Sequence, residues 1–200
     1  MIIVEGGDNV GKSTLVKQLL ALDPSLRLLH RERFKPQDGG TIFSSYLKML
    51  LPPDDAYTAH ANSIGDRCFA SECVYGALFR HSCRMTFAEH LVIQAVLKKF
   101  NALIVHCDPP DDVILDSWRE REQLYDNPLA IAQAYREKMP SIFDGLEVIH
   151  YDWTRDSAPA FRDWLIADFL NDSAVDPKFS YSRPDLKGIR VAPTRTITNF

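Results

Sequence analysis

The chain has 200 residues, of which 46% are hydrophobic and 25% charged; this suits one domain with a sizeable core and excludes wholesale disorder. Its formal net charge of −4 argues against non-specific nucleic-acid binding by the whole surface. No apolar run approaches the roughly 20 residues that span a bilayer, so we expect no membrane partner.

Apolar segments alternate with amphipathic ones along most of the chain, which is typical of a parallel sheet covered by helices on both faces. Strands are predicted at residues 1–5, 26–30, 63–65, 102–107 and 146–151. Helices are predicted at about 12–22, 41–51, 70–81, 86–99, 111–123, 128–139 and 157–171. The helix at 86 opens with a capping box formed by Thr86 and Glu89. The pattern predicts a three-layer α/β fold with a five-stranded parallel sheet.

A glycine-rich segment follows the first strand directly and has the spacing G-x-x-x-x-G-K-[ST]. It reads Gly6-Gly7-Asp8-Asn9-Val10-Gly11-Lys12-Ser13-Thr14. Glycine tolerates the tight torsions with which such a loop turns its backbone N–H groups toward one phosphate. Lys12 is predicted to reach the β- and γ-phosphates of ATP, and the Ser13 hydroxyl to bind Mg²⁺. Because a strand precedes the motif and a helix follows it, we predict a nucleotide site formed by all nine residues rather than an incidental glycine-rich turn.

Asp66 and Arg67 stand at the predicted end of the third strand, where ligands gather in open parallel sheets. The Asp66 carboxylate could hold Mg²⁺ through a water or orient an acceptor oxygen. The Arg67 guanidinium offers a fork that suits a phosphate. A surface salt bridge at the strand end is an equal alternative on these two residues alone.

The segment from Asp66 to Tyr75 reads D-R-C-F-A-S-E-C-V-Y and resembles the D-R-[aromatic]-x-x-S-x-x-x-Y segment of the thymidylate kinase family. The phosphate loop, written V-E-G-G-D-N-V-G-K-S-T, resembles the same family. The likeness extends over residues 1–170 and implies a P-loop kinase domain at 1–171. It also implies catalytic roles for Asp66 and Arg67 beside the transferring phosphate. By the same resemblance Phe69 and Tyr75 contact the acceptor base, although both aromatic residues could equally belong to the core.

A charged helical stretch at about 117–127 is the predicted lid of the kinase domain. Phosphoryl transfer needs positive charge around the moving group, which makes Arg119 and Arg121 catalytic candidates. Residues two apart on a helix point to different faces, so we expect one of the two to reach the phosphates. The alternation of arginine and glutamate also suits a solvated charged helix.

The stretch from Arg31 to Thr41 lacks the compact R-E-P-G-G-T motif of thymidylate kinases that act on free nucleotide. In this respect the chain resembles a divergent phage branch of the family. The enzymes of that branch phosphorylate the hydroxymethyl group of 5-hydroxymethyluracil in DNA during thymidine hypermodification. We therefore favour phosphoryl transfer from ATP to 5-hydroxymethyluracil in phage DNA. A dTMP-type deoxynucleoside monophosphate kinase is the alternative. A P-loop nucleotide switch is a third hypothesis, although the N-K-x-D motif of GTPases is missing from the sequence.

Residues 172–200 are predicted to form a basic extended tail. From Ala174 onward there are five basic and two acidic residues, a local charge of +3 that leaves −4 − 3 = −7 for the remaining chain. The four cysteines show no C-x-x-C pair and no zinc-like spacing with histidine, so we expect reduced core thiols. We expect the side chains of His60, His81 and His90 to pack in the interior or to face solvent.

The N-terminal strand has no basic region of the signal-peptide kind, which favours a cytoplasmic protein, or one of the host cytoplasm if the chain is viral. The oligomeric state is left open, a homodimer included.

Overall fold

The structure is a computed structural model that describes residues 1–29, 41–51, 62–120 and 125–170. Its centre is one parallel sheet of five strands. They are β1 (Ile2–Glu5), β2 (Arg27–Leu29), β3 (Ser63–Asp66), β4 (Leu103–Cys107) and β5 (Glu147–Tyr151). Their order across the sheet is β2-β3-β1-β4-β5, with every pairing parallel. The predicted fold class is confirmed.

Seven α-helices accompany the strands in the described residues. They are α1 (Lys12–Leu22), α2 (Ile42–Leu50), α3 (Ala70–Tyr75), α4 (Phe87–Lys99), α5 (Asp111–Arg119), α6 (Pro128–Ile142) and α7 (Ala158–Trp164). The capping box of α4 is confirmed, since the Glu89 backbone donates to Thr86 Oγ1 at 3.2 Å and the Thr86 backbone donates to Glu89 Oε2 at 2.6 Å. Among the described residues, none of the helices combines the length and apolar character that crossing a bilayer requires.

Two predicted helices are π-helical rather than α-helical in their last turns. α3 continues as a π-helical segment, Gly76–Arg80, and α7 continues as another, Leu165–Leu170. A π-helix has wider turns than an α-helix, and the apolar spacing of a short segment does not distinguish the two. The predicted tail at 172–200 lies outside the described residues.

Two apolar cores cover the two faces of the sheet, because successive strand residues point to opposite sides. Ile3 and Ile104 belong to the core that includes side chains of α2, α3, α4 and α6. Ile2 and Val4 belong to the core that includes side chains of α1 and α7. The helices therefore lie on both faces, as predicted.

The strand order places a crevice at the carboxyl end of β1. The chain builds β1, β2 and β3 on one side of the sheet and then crosses to β4 and β5 on the other. Where strand order reverses in this way, the loops leaving adjacent strands separate and ligands bind between them. The phosphate loop follows β1, and Asp66 ends the neighbouring β3, so both candidate segments open onto this crevice.

Candidate active site

The phosphate loop adopts backbone conformations that favour glycine. Gly6 and Gly11 have φ angles of 141° and 90°, and Asn9 has a φ of 59°. A Cβ on Gly6 would lie 2.6 Å from the backbone oxygen of Cys107 at the end of β4. The first glycine of the motif thus permits both the turn and the close approach of the loop to β4.

Lys12, at the end of the phosphate loop, folds its side chain back onto that loop. Its side chain is buried and its Nζ donates a hydrogen bond to the Gly7 backbone oxygen. Burial, followed by the positive charge of Arg67, lowers the pKa of Lys12 to about 7. A bound polyphosphate would place negative charge against this ammonium and favour its protonated form.

Ser13 and Asp66 bring two oxygen ligands together at the mouth of the loop. The Ser13 hydroxyl donates to Asp66 Oδ2 at 2.5 Å, joining the first turn of α1 to the end of β3. Mg²⁺ is bound by hard oxygen ligands and by the phosphates of its nucleotide. These two side chains therefore fit the predicted Mg²⁺ site, which the sequence assigned to the same pair.

Arg67 contacts Asp8 of the phosphate loop, whereas Asp66 contacts Ser13. Its backbone is left-handed, with a φ of 73°, and its N–H donates to the Val4 oxygen at 2.9 Å. Its guanidinium donates to Ser71 Oγ at 3.0 Å and forms a salt bridge with Asp8. A non-glycine residue in this conformation costs about 1–3 kcal/mol and is typical of functional sites. Two successive charged side chains thus contact different residues of the phosphate loop.

Two residues that the sequence did not identify support Arg67. Glu5 is fully buried and accepts from the Cys68 backbone N–H at 2.6 Å. Tyr135 is also buried, with its hydroxyl 2.9 Å from Ser71 Oγ and 3.4 Å from the Arg67 guanidinium. Glu5 could have been noticed as a carboxylate at the end of an apolar strand. Tyr135 lies in α6, far along the chain, and had no local signal.

A large cavity lies on the Asp66 side of the phosphate loop. Its volume is about 920 Å³, and its lining includes Lys12, Ser13 and Thr14 with Trp153. The indole of Trp153 is 45% exposed, and a Cβ on Gly11 would lie 2.7 Å from its Cδ1. We call this the donor cavity, because the phosphate loop and the aromatic side chain of Trp153 both line it.

The loop that carries Trp153 is fixed by its neighbour Asp152. That carboxylate is buried and accepts hydrogen bonds from the Thr154 backbone at 3.0 Å, from Thr154 Oγ1 at 2.7 Å and from Arg155 Nε at 2.7 Å. The sequence analysis did not identify Trp153, whose position beside the phosphate loop depends on the β5 to α7 connection.

A second, smaller cavity lies on the Arg67 side and measures about 320 Å³. Its lining residues are Asp8, Ile42, Ser45, Tyr46, Arg67, Ser71, Glu72, Tyr75, Arg80, Arg84 and Tyr125. Tyr75 donates to Asp8 Oδ2 at 2.8 Å. We call this the acceptor cavity. Asp8 and Arg67 line both cavities, so they form the boundary between the two.

The structure separates the two aromatic residues that the resemblance assigned to the acceptor. Tyr75 lies in the wall of the acceptor cavity. Phe69 is 1% exposed, and its ring lies 5.4 Å from that of Phe143 and 5.4 Å from that of His90. Phe69 is therefore a core residue, and its predicted contact with the acceptor base is corrected. Its place at the start of α3 turns the side chain into the core between α4 and α6.

Of the two candidate lid arginines, the structure describes only Arg119, which does not line either cavity. Arg119 ends α5 with a side chain that is 75% exposed, and it pairs with Asp116 on the preceding turn at 3.0 Å. Ser117 and Glu120 of the same segment do line the donor cavity. Arg121 lies outside the described residues. A catalytic role for either arginine stays a prediction.

The fold and the phosphate loop together define the chain as an α/β protein with the P-loop kinase fold. No protein-family model matches it, and no curated protein does either. Membership of the thymidylate kinase family therefore stays a prediction.

Among solved structures, the YorR protein from Bacillus subtilis, in complex with phosphorylated GDP, is similar at 24% identity. Its TM-score is 0.63, over 82% of this chain and 92% of that one. A deoxyadenosine kinase from M. mycoides with bound dCTP has 14% identity and a TM-score of 0.48, over 86% and 100% of the two chains. A shikimate kinase from Acinetobacter baumannii in complex with shikimate has 14% identity and a TM-score of 0.47, over 87% and 94%. At such identities the likeness to YorR establishes the fold alone.

Proposed function

We propose that the chain transfers the terminal phosphoryl group of ATP to a deoxypyrimidine acceptor. One observation carries this proposal: the donor and acceptor cavities meet at Asp8 and Arg67. The terminal phosphoryl group of a nucleotide bound to the phosphate loop would pass Asp8 and Arg67 to reach the acceptor cavity. Arg67 supplies positive charge there, where charge is spread over the transferring oxygens.

The polar side chains of the phosphate loop and its neighbours each have a separate part in the proposed transfer. Lys12 binds the β- and γ-phosphates, and Ser13 with Asp66 would hold Mg²⁺, which neutralises phosphate charge when bound. Asp8 lines the acceptor cavity and accepts from Tyr75 there, so we assign it the carboxylate role toward an acceptor hydroxyl. An oxygen nucleophile needs such a carboxylate to orient its proton. The nucleotide named in the YorR complex supports nucleotide binding by this fold.

The favoured acceptor is the hydroxymethyl group of 5-hydroxymethyluracil in phage DNA. The sequence lacks the compact R-E-P-G-G-T motif, which an alcohol acceptor on a base does not need. The acceptor cavity, at about 320 Å³, is near the lower end of the range for ligand pockets and suits one nucleotide unit. Its tyrosines, Tyr46, Tyr75 and Tyr125, offer aromatic faces and hydroxyls to a pyrimidine.

A free deoxynucleoside monophosphate is the second candidate acceptor, and a specific group of charges favours it. Arg80 and Arg84 both pair with the buried carboxylate of Glu72, at 2.6 Å and 2.7 Å. Two guanidinium groups against one carboxylate leave a net charge of 2 − 1 = +1 on the wall of the acceptor cavity. Such a wall suits a phosphate, which arginine binds through its planar fork.

The test supplies ATP labelled in its γ-phosphate with Mg²⁺ and, in separate reactions, dTMP or DNA containing 5-hydroxymethyluracil. We expect label in the modified DNA. Label found only in the diphosphate nucleotide would reject the DNA acceptor in favour of the second candidate. Transfer to neither acceptor would overturn the proposal.

A matched pair of variants connects the transfer to the phosphate loop. Lys12→Ala should abolish transfer because the buried ammonium contacts the loop directly. Lys17→Ala removes an exposed lysine of the same helix and should retain transfer. Full activity in Lys12→Ala would contradict the assignment of the donor site.

A further inference from the structure

Three side chains with soft or borderline metal-binding atoms meet beside the acceptor cavity. Cys73 belongs to α3, Cys83 to the connection after the π-helical segment, and His90 to the first half of α4. Their ligand atoms all lie within 4.8 Å of one another, and each residue is partly buried. Cys73 Sγ and Cys83 Sγ are each 3.4 Å from the same atom, His90 Nε2.

Hydrogen bonding accounts for only one of these two sulfur–nitrogen contacts. A neutral imidazole nitrogen in the ring plane either accepts with one lone pair or donates one N–H. It therefore cannot form two ordinary hydrogen bonds to two thiols. A cation placed between the three atoms would satisfy both sulfurs and the nitrogen together.

The distances also agree with tetrahedral coordination. With Zn–S of about 2.3 Å and Zn–N of about 2.05 Å, a sulfur and a nitrogen on one tetrahedral zinc ion lie about 3.6 Å apart. The two contacts of 3.4 Å are close to this value. Two thiolates and an imidazole in tetrahedral geometry select zinc over hard cations such as Mg²⁺, which prefer six oxygen ligands.

We propose that Cys73, Cys83 and His90 form a zinc-binding site, with water in the fourth position. The neighbours of the two cysteines connect this site to the acceptor cavity. Glu72 precedes Cys73, Arg84 follows Cys83, and the Arg84 side chain donates to Glu72 at 2.9 Å and 2.7 Å. Zinc would therefore fix α3, the segment around Cys83 and α4 to one another, next to Arg80 and Arg84 in the wall of the acceptor cavity. The proposal stands apart from the proposed function, since zinc binding is measured without ATP or acceptor.

The full chain is purified under reducing conditions, loaded with zinc, and freed of excess metal by gel filtration. Elemental analysis should give one zinc per chain. Substitution of zinc by cobalt should give a thiolate-to-metal charge-transfer band and the intense visible bands of tetrahedral cobalt. Each of Cys73→Ser, Cys83→Ser and His90→Gln should lose the charge-transfer band or weaken metal retention.

Two control variants distinguish this cluster from other thiols and imidazoles. Cys107→Ser removes a buried thiol in β4, and His81→Gln removes an exposed imidazole close to the cluster; both should retain one zinc. Circular dichroism verifies that the three cluster variants are folded before metal is measured. Chelation should also lower the thermal midpoint of the wild type while leaving that of Cys83→Ser unchanged.

Three results would overturn the proposal. One is the absence of bound zinc in reduced, loaded protein that is folded. Another is equal zinc retention in the cluster variants and the wild type. The third is a disulfide between Cys73 and Cys83. In that case the denatured wild type would show two thiols fewer without reductant than with it, and Cys73→Ser would show no such difference.

Discussion

Removing the indole of Trp153 should weaken ATP binding without impairing the chemical step. Trp153 lines the donor cavity next to Gly11 and is 45% exposed, so we expect its ring to stack on a nucleotide base. Stacking of a base on an aromatic side chain contributes about 1–3 kcal/mol. Trp153→Ala should therefore raise the dissociation constant for ATP by about 5- to 150-fold, since 1.4 kcal/mol corresponds to a factor of ten.

The kinetic signature of this variant follows from where the contact is made. The base remains stacked before and during transfer, so the contact stabilises the ground state and the transition state equally. KM for ATP should rise while kcat stays near its wild-type value. Titration calorimetry measures the dissociation constant, and initial rates at varied ATP give the kinetic constants.

Trp153→Phe is the matched control, because it retains an aromatic face at the same position. It should recover most of the affinity. ATP stacked on the indole is expected to quench the fluorescence of the wild type, and Trp153→Phe should lose that quenching. Trp164 packs against the ring of Phe161, with ring centroids 5.7 Å apart, and Trp164→Phe should keep both affinity and quenching. Unchanged ATP affinity in Trp153→Ala would refute the assignment of the base to this face.

Three further predictions concern stability and the phosphate loop. Gly6→Ala should abolish nucleotide binding, because its Cβ would lie 2.6 Å from a backbone oxygen. Gly7→Ala should weaken binding less, because the nearest neighbour of its Cβ is a side-chain methyl group of Ile131 at 3.3 Å. Calorimetry measures nucleotide binding by both variants. Glu72→Gln should lower the free energy of unfolding by about 1–3 kcal/mol, measured in urea, since two guanidinium groups lose their charged acceptor; a stability equal to the wild type would contradict this ion-pair assignment. Burial, against the opposing charge of Asp108, lowers the pKa of His106 from 6.5 to about 4, so the folded protein binds fewer protons than the unfolded chain in this interval. The stability should therefore fall by about 3 kcal/mol as pH decreases from about 6.5 to 4, and His106→Phe should remove that part of the pH dependence in urea titrations; an unaltered profile in the variant would show that another group causes it.

The sequence by itself determined the order of the strands and helices and predicted the phosphate site, because both depend on local order. The alternation of apolar and amphipathic segments predicted the five strands, and the spacing of Gly6, Gly11 and Lys12 fits one continuous loop between a strand and a helix. The pairing of Ser13 with Asp66 followed from the general rule that ligands gather at the carboxyl ends of parallel strands.

The tertiary structure decided which side chains from distant segments meet. Phe69 is a core residue because α3 turns it between α4 and α6. Trp153 reaches the phosphate loop because the connection from β5 to α7 brings it there, although β4 separates β5 from β1 in the sheet. Neither placement has a signature in the spacing of neighbouring residues. Cys73, Cys83 and His90 likewise have no zinc-like spacing, and they converge because a π-helical segment and the start of α4 fold back on α3. Contacts that close long loops depend on the packing of whole elements, which local patterns do not encode.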